Sequence, residues 1–372
     1  MKTTPRHPAR KSAWAGLLAF ASLVLALPAA ATAPRTFLVA PSHYVQLRAE
    51  IAPGLKDPGL AVTLAAVRAD AEAKMKAGPW SVMDKPDRLI GPSGDKHDYV
   101  SLSRYWWPGP DGTYVWRDGQ INPDMISPDE SALADLMVTV RTLANAGYFL
   151  GEDRYLARAA LLIRRWFIDP ATRMNPNLNF AAGIPGKTTG RGIGLHRMKW
   201  LPMFVDVLGL VGTSPSWSAA DEAGMRDWMR RYLRWATTSK LGLDEKDEPN
   251  NHAVYYGAHI LAAALYVEDQ ANIEEFSQRY FQHQIINQLR PDGELPEEMK
   301  RPRPYNYAIY TMTAFCYYAE LARGLGLDYY HFKGPQGQSI ARAFAWLIPF
   351  LKGDVKSPKQ LCPSSSAKAV SW

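Results

Sequence analysis

The chain has 372 residues, 47% of them apolar and 21% charged, with a formal net charge of +7. This composition excludes a disordered or collagen-like chain and is enough for at least one large core. No basic run is interleaved with aromatic residues, so the charge does not point to nucleic acid.

At the N-terminus, Lys2, Arg6, Arg10 and Lys11 precede the apolar run Ala13 to Leu27 and then Pro28-Ala29-Ala30-Ala31. A basic region, a short apolar region and a small-residue cleavage site make a secretory signal peptide over 1–31, cut after Ala31. The run is short for a spanning helix, and no later stretch is long and apolar enough to cross a bilayer. The expected location is therefore periplasmic or secreted, with no membrane attachment after cleavage. Removing four basic residues takes the net charge from +7 to about +3, which suits an anionic ligand without demanding one. Of the two cysteines, Cys316 lies in an apolar helix and Cys362 in a polar tail. Export permits a disulfide, but a core thiol and a tail thiol make a poor pair.

After the leader, 44–51 and 60–77 read as helices. A long stretch rich in Gly, Pro and Asp follows over 78–127, and a loop of that length inside a domain is usually functional. Within it, 113–120 reads as a small hairpin closed near Asp118-Gly119. Ser127-Pro128-Asp129-Glu130 is a helix start, with apolar residues recurring at Leu133, Leu136, Val140, Leu143 and Ala144. Further helices are expected over 153–167, 195–211, 219–238, 251–267, 271–289, 307–325 and 339–351. Short turns join them, except for the polar loop 174–194. The predicted fold is all-α, an (α/α) toroid: an incomplete barrel of antiparallel helix pairs whose long loops line a groove. No motif repeats at a fixed period, which argues against a solenoid. One domain over 32–352 is expected, with a polar tail over 353–372; the oligomeric state is not readable.

Two dense stretches stand out. In Glu248-Pro249-Asn250-Asn251-His252, two amides and an imidazole open an apolar helix. Alone, such a pair reads as an N-cap with a packed imidazole. Only one amide can be the cap, so the other is left to offer donors to an anion at the helix N-terminus. Tyr256 lies one turn on. In the second stretch, Lys300, Arg301 and Arg303 sit among Pro296, Pro302 and Pro304, a segment expected to be extended and pinned. Tyr305 and Tyr307 follow at the mouth of the next helix. The bland reading is a solvated basic turn. Tyr105-Trp106-Trp107-Pro108, with Trp116, fits a sugar platform as well as a loop staple. The loop Gly186 to Gly194 is not a phosphate loop, and its Arg191 suits a carboxylate instead. The histidines show no metal-ligand spacing, with His196 far from His252 in the chain, and no metal or other cofactor is expected.

Taken together, these residues resemble the alginate lyase superfamily of polysaccharide lyases. The resemblance rests on Lys96-His97-Asp98-Tyr99, Tyr105-Trp106-Trp107-Pro108, Gly190-Arg191-Gly192-Ile193-Gly194, Asn251-His252, and Arg301 with Tyr307, over roughly 60–351. The six-residue step from Arg301 to Tyr307, the Trp-Trp-Pro and the Arg-Gly-Ile-Gly look more like family 38, which acts on alginate and glucuronan, than family 5. The resemblance implies β-elimination on a uronate-containing anionic polysaccharide, with Asn251, His252, Arg301 and Tyr307 catalytic. Lys96, His97, Tyr105, Trp106, Trp107, Arg191, Tyr256, Arg303 and Tyr305 are the expected substrate-binding set. Tyr305 competes with Tyr307 for the catalytic phenol. The expectation is that Arg301 and its neighbouring cations lower the Tyr307 pKa. A glycoside hydrolase would need paired carboxylates, for which Asp98, Asp292, Glu294, Glu297 and Glu298 are the candidates. A non-catalytic polysaccharide binder would keep the tryptophans and Arg191 but would need no tyrosine beside an arginine.

Overall fold

The computed structural model describes residues 33–51 and 57–353. The expected leader, Cys362 and the tail beyond Gly353 lie outside the described residues. The helices in chain order are α1 (Pro41–Ile51), α2 (Pro58–Lys74), α3 (Pro128–Leu150), α4 (Asp153–Ile163), α5 (Leu201–Val211), α6 (Ala219–Thr238), α7 (Lys240–Lys246), α8 (Asn251–Val267), α9 (Gln270–Glu274), α10 (Phe281–Gln288), α11 (Pro296–Met299), α12 (Pro304–Arg323) and α13 (Ile340–Lys352). Four short strands accompany them: β1 (Val100–Leu102), β2 (Trp106–Pro108), β3 (Tyr114–Trp116) and β4 (Phe180–Gly183). No helix among the described residues is long and apolar enough to cross a membrane.

Helices α3, α5, α8 and α12 pack in succession as an inner row. Helices α2 and α4 back α3, α6 and α10 back α8, and α13 lies against α12. This is the expected (α/α) toroid. Helix α8 is its axis. Its sequence is apolar on every side, so it can only be a central helix, and every residue from Ala253 to Val267 is buried. Gly257 allows this packing. A Cβ there would lie 2.5 Å from Tyr318 Cε1 and 2.7 Å from Tyr280 Cε1, inside van der Waals contact. Gly257→Ala is therefore expected to cost about 1–3 kcal/mol through overpacking, despite the better helix propensity of alanine. A denaturation midpoint equal to or above that of the parent would contradict this.

Several elements differ from expectation for local reasons. The hairpin pairs β2 with β3, Trp106 opposite Trp116, and turns between them over 109–113. Asp118-Gly119 lies beyond the hairpin. The stretch 271–289 is helical as expected up to Gln288, but a π-helical turn, Glu275–Tyr280, lies inside it between α9 and α10. The stretch 195–211 is a 3-10 segment, Gly192–Met198, followed by α5. The proline-rich segment is not extended throughout. Pro296 and Pro304 each open a helix, α11 and α12, at the one helical position where a missing N–H costs nothing.

The long loop 78–127 is fastened to the helices by buried polar contacts. Lys85 Nζ lies 3.1 Å from the Asp129 carboxylate and donates to the Val82 and Lys96 carbonyls. Asp129 also accepts from the Val100 N–H, and burial pushes its pKa up to about 6 despite the lysine beside it. Strand β1 pairs in parallel with β4, which ties this loop to the second long loop. That loop turns back sharply at Gly190, where a Cβ would lie 2.0 Å from the Asn179 carbonyl oxygen. The two loops together bring residues 103–107, 118 and 191–199 to the N-terminal end of α8.

Candidate active site

The N-terminus of α8 is held by two buried carboxylates: Glu245, which the sequence reading did not single out, and Glu298, which it offered only as a hydrolase candidate. Asn250 is the cap, its side-chain oxygen accepting from the His252 N–H at 3.0 Å. Asn251 donates both its backbone N–H (2.8 Å) and its side-chain Nδ2 (3.0 Å) to Glu298 Oε1. Thr311 of α12 donates to the same oxygen at 2.9 Å. Asn251 is thus fixed in orientation, with one Nδ2 hydrogen still unused. His252 Nδ1 lies 2.7 Å from Glu245 Oε1, and the Glu245 side chain at the end of α7 is 1% exposed. Burial alone would lower the His252 pKa, but the Glu245 carboxylate outweighs it and the net shift is upward. The bond to Nδ1 leaves Nε2 as the nitrogen available to a ligand.

Arg301 and Tyr307 come together as the spacing predicts. The guanidinium carbon lies 3.8 Å from the centre of the Tyr307 ring. The same guanidinium forms a two-bond pair with Asp118, at 2.9 and 2.8 Å. The Tyr307 hydroxyl lies 3.2 Å from that of Tyr105. The expectation that Arg301 lowers the Tyr307 pKa is not met. Burial pushes the phenol up, the Tyr105 hydroxyl adds to this, and Arg301 opposes it without prevailing. The physical reason is burial of the phenol first and the Tyr105 hydroxyl second; the Asp118 carboxylate paired with Arg301 adds a smaller upward push.

A third group adjoins these two, although its members are distant in sequence. The His196 ring lies 4.6 Å from that of His252, and its Nε2 is 2.5 Å from the Tyr310 hydroxyl. Burial holds the His196 pKa well below the ordinary histidine value, with His252 adding to the effect. Tyr310 also accepts from Lys199 Nζ at 2.9 Å. Tyr307 and Tyr310 are three residues apart, hence on one face of α12. Among the described residues, His196, Glu245 and His252 form a group whose possible metal-ligand atoms all lie within 4.8 Å of one another. The sequence reading separated these histidines; the 3-10 segment Gly192–Met198, packed against α7 and α8, brings them together. In the structure the short Glu245–His252 bond already occupies one donor of that group.

The expected binding residues divide into two sets. Trp106 and Trp107 are half-buried and, as successive strand residues, point to opposite faces of the hairpin. Trp106 therefore shares its face with its partner Trp116, which is 56% exposed, and not with Trp107. Trp107 donates its indole N–H to the Gln120 carbonyl. Arg191 remains beside the site: its guanidinium donates to Ser103 Oγ at 2.5 Å and the Ala182 carbonyl at 3.2 Å. Arg303 is exposed at the start of α12.

Four residues have structural duties instead. Tyr305 is 5% exposed and packs on Trp346 and Phe350 of α13. Two residues along a helix turn a side chain away from its neighbour, so Tyr307 faces the site and Tyr305 faces the core. Tyr256 is 1% exposed, and its hydroxyl donates to the Ala236 carbonyl. Lys96 bonds Asp87, and His97 Nδ1 lies 2.6 Å from the Arg173 carbonyl, so both staple loop to loop.

The carboxylates a hydrolase would need are not paired across a gap. Glu298 is buried under Asn251, Glu294 binds Arg290, Glu297 binds Lys300, and Asp98 accepts from Ser93 and Asn175. Residues 81–357 match the sequence profile of the alginate lyase family. The chain belongs to the alginate lyase family. It is a polysaccharide lyase. It is similar to an alginate lyase from Bacteroides ovatus, solved as a crystal structure, at 31% identity over 88% of this chain and 87% of that one, with a TM-score of 0.82. Alginate lyase A1-III from Sphingomonas species A1 shares the fold at 18% identity, over 84% and 77% of the two chains, with a TM-score of 0.53. A form of A1-III complexed with a tetrasaccharide gives 18% identity, 88% and 80% coverage and a TM-score of 0.58. No curated protein matches the chain. Within this lyase, the residues that sequence reasoning missed are Asp118 and Glu245, which hold Arg301 and His252, and His196, Lys199 and Tyr310; Glu298, named there as a hydrolase candidate, instead holds Asn251. An acidic residue bound for burial beside a histidine carries no local sequence signal.

Proposed function

We propose that this lyase cleaves a polyuronate, alginate rich in mannuronate or glucuronan, by β-elimination at Tyr307. The observation that carries the reading is the Tyr307 phenol, set under Arg301 and against Tyr105, on the helix packed beside the Asn251-His252 helix start. The C5 proton of a uronate is weakly acidic because its removal puts a second negative charge next to the carboxylate. Fixed donors at that carboxylate lower the barrier, each by a few kcal/mol. The free Nδ2 hydrogen of Asn251 and the imidazolium of His252 fill this role. The Tyr307 phenolate takes the C5 proton. The C5–H electron pair becomes the C4=C5 bond, the C4–O4 bond breaks, and the Tyr307 phenol returns the proton to O4. The phenolate is regenerated at the end, so the raised pKa of Tyr307 limits how much enzyme is active but adds no step to the cycle. Trp106 and Trp116 offer one aromatic face to the sugars next to the cleaved bond. The leader read over residues 1–31 supports action in the periplasm or outside the cell.

The test is incubation of the purified protein with polymannuronate, polyguluronate and glucuronan, following ultraviolet absorbance and sizing the products. Unsaturated ends from at least one polymer are expected. New reducing ends without absorbance would replace this reading with hydrolysis, and binding without cleavage would replace it with a carbohydrate-binding role.

A further inference from the structure

Three cations meet beside the catalytic groups with one carboxylate between them. Arg104 immediately precedes Tyr105; Arg197 and Lys199 lie in and just after the 3-10 segment Gly192–Met198. Arg104 and Arg197 both pair with Glu130 of α3, on the same oxygen, Oε1. Lys199 forms no ion pair with any described carboxylate; its acceptor is the Tyr310 hydroxyl, at 2.9 Å. The Nε atoms of Arg104 and Arg197 and the Oε2 of Glu130 are buried without partners. Two positive charges are thus left over in a half-buried cluster, and cations withdrawn from water in this way need an anion. The cluster adjoins the reaction site. Tyr310 shares the α12 face of Tyr307 and touches His196, which lies against His252.

We infer that Lys199, with Arg197 and Arg104, forms a subsite for the carboxylate of a second uronate, the residue next to the one that loses its C5 proton. This rests on the polyuronate reading above and sharpens it: the enzyme reads two consecutive carboxylates, not one. A neutral sugar at the neighbouring position would leave Lys199 unpaired, so the subsite selects homopolymeric uronate blocks.

The groups that face Lys199 are the Tyr310 hydroxyl from α12, Arg104 from the loop after β1, and His196 and Arg197 from its own segment; Glu130 reaches it only through the two arginines. Burial pulls the Lys199 pKa down to about 8, and the two arginines add to the effect. The lysine is charged below that pH and neutral above it, so affinity for a carboxylate falls as pH rises through 8.

The test uses Lys199→Met, which keeps the stem, and Lys199→Arg, which keeps the charge. Lys199→Met is expected to raise the KM for a uronate trisaccharide on the order of tenfold, with a far smaller change in kcat, and Lys199→Arg to restore most of it. The parent's KM is expected to rise above pH 8, and that rise should vanish in the methionine variant. Calorimetric binding of the same trisaccharide to Tyr307→Phe, with and without Lys199→Met, reads affinity independently of turnover. An unchanged KM and affinity in a variant that melts like the parent would overturn the subsite while leaving the lyase reading intact. A fall in kcat at constant KM would also overturn it, because Lys199 would then act through Tyr310. If the parent neither binds nor cleaves any polyuronate, the functional reading itself fails.

Discussion

Tyr307→Phe is expected to lower the rate of unsaturated-product formation by ~10²–10⁴-fold, the range for removing a group that moves the proton in the transition state. Tyr307 serves both as base at C5 and as acid at O4, so the upper end of that range applies. The fold should survive, because the substitution removes a half-exposed hydroxyl and leaves the ring that Arg301 covers. An unchanged melting temperature with lost activity is the expected pair of results. Tyr105→Phe removes the hydrogen-bond partner but not the base, and should cost much less. The pH dependence gives an independent check. Burial and the Tyr105 hydroxyl hold the phenol above its ordinary pKa. Well below that pKa the phenolate fraction grows about tenfold per pH unit, so kcat should climb from pH 6 to 9. In the enzyme–substrate complex the substrate carboxylate favours the charged form of His252 and so extends the climb. Near-parental activity in Tyr307→Phe would remove Tyr307 from the mechanism. A kcat that falls over that pH range would point to another base.

The parts legible in the sequence were those with local periodicity or local caps. The helical order of the chain follows from the 3.6-residue spacing of residues such as Leu133, Leu136 and Val140. The Asn250 cap follows from two amides at a helix start where only one can serve. Arg301 and Tyr307 meet because six residues of chain, pinned by Pro302 and Pro304, leave little freedom. What stayed hidden depends on long-range closure. Asp118 lies just past the hairpin, and only the packing of that hairpin against residues 301–302 turns it toward Arg301. His196 meets His252 because the 3-10 segment Gly192–Met198 packs against α8. Glu245 and Glu298 read as surface charges in any local window, yet they are each 1% exposed. The aromatic platform read over Trp106, Trp107 and Trp116 is divided by the hairpin. Strand alternation splits two adjacent aromatic residues between faces, and the true partner of Trp106 is Trp116 across the hairpin.

Glu245→Gln tests whether the buried acid sets the protonation of His252. The carboxylate raises the His252 pKa against the opposing effect of burial. Sign matters here: a raised pKa keeps the imidazolium below it and loses it as pH rises through it. The active form needs His252 protonated and Tyr307 ionised. In the free enzyme the histidine titrates below the phenol. Between the two pKa values the gain in phenolate is cancelled by the loss of imidazolium, so kcat/KM rises with pH and then levels off once the histidine has lost its proton. The level of that plateau falls tenfold for each unit by which the His252 pKa drops. Glutamine keeps the shape of Glu245 but not its charge, so the plateau should begin at lower pH and lie on the order of 10–100-fold lower. That is the size of effect seen when metal-binding histidines lose an orienting carboxylate. Stability should change little, because burial already disfavours the charged form of Glu245 and the amide can still accept from Nδ1. If kcat/KM in Glu245→Gln keeps both the onset and the height of the parental plateau, His252 does not act as an imidazolium, and neutralisation of the substrate carboxylate falls to Asn251 and the neighbouring arginines.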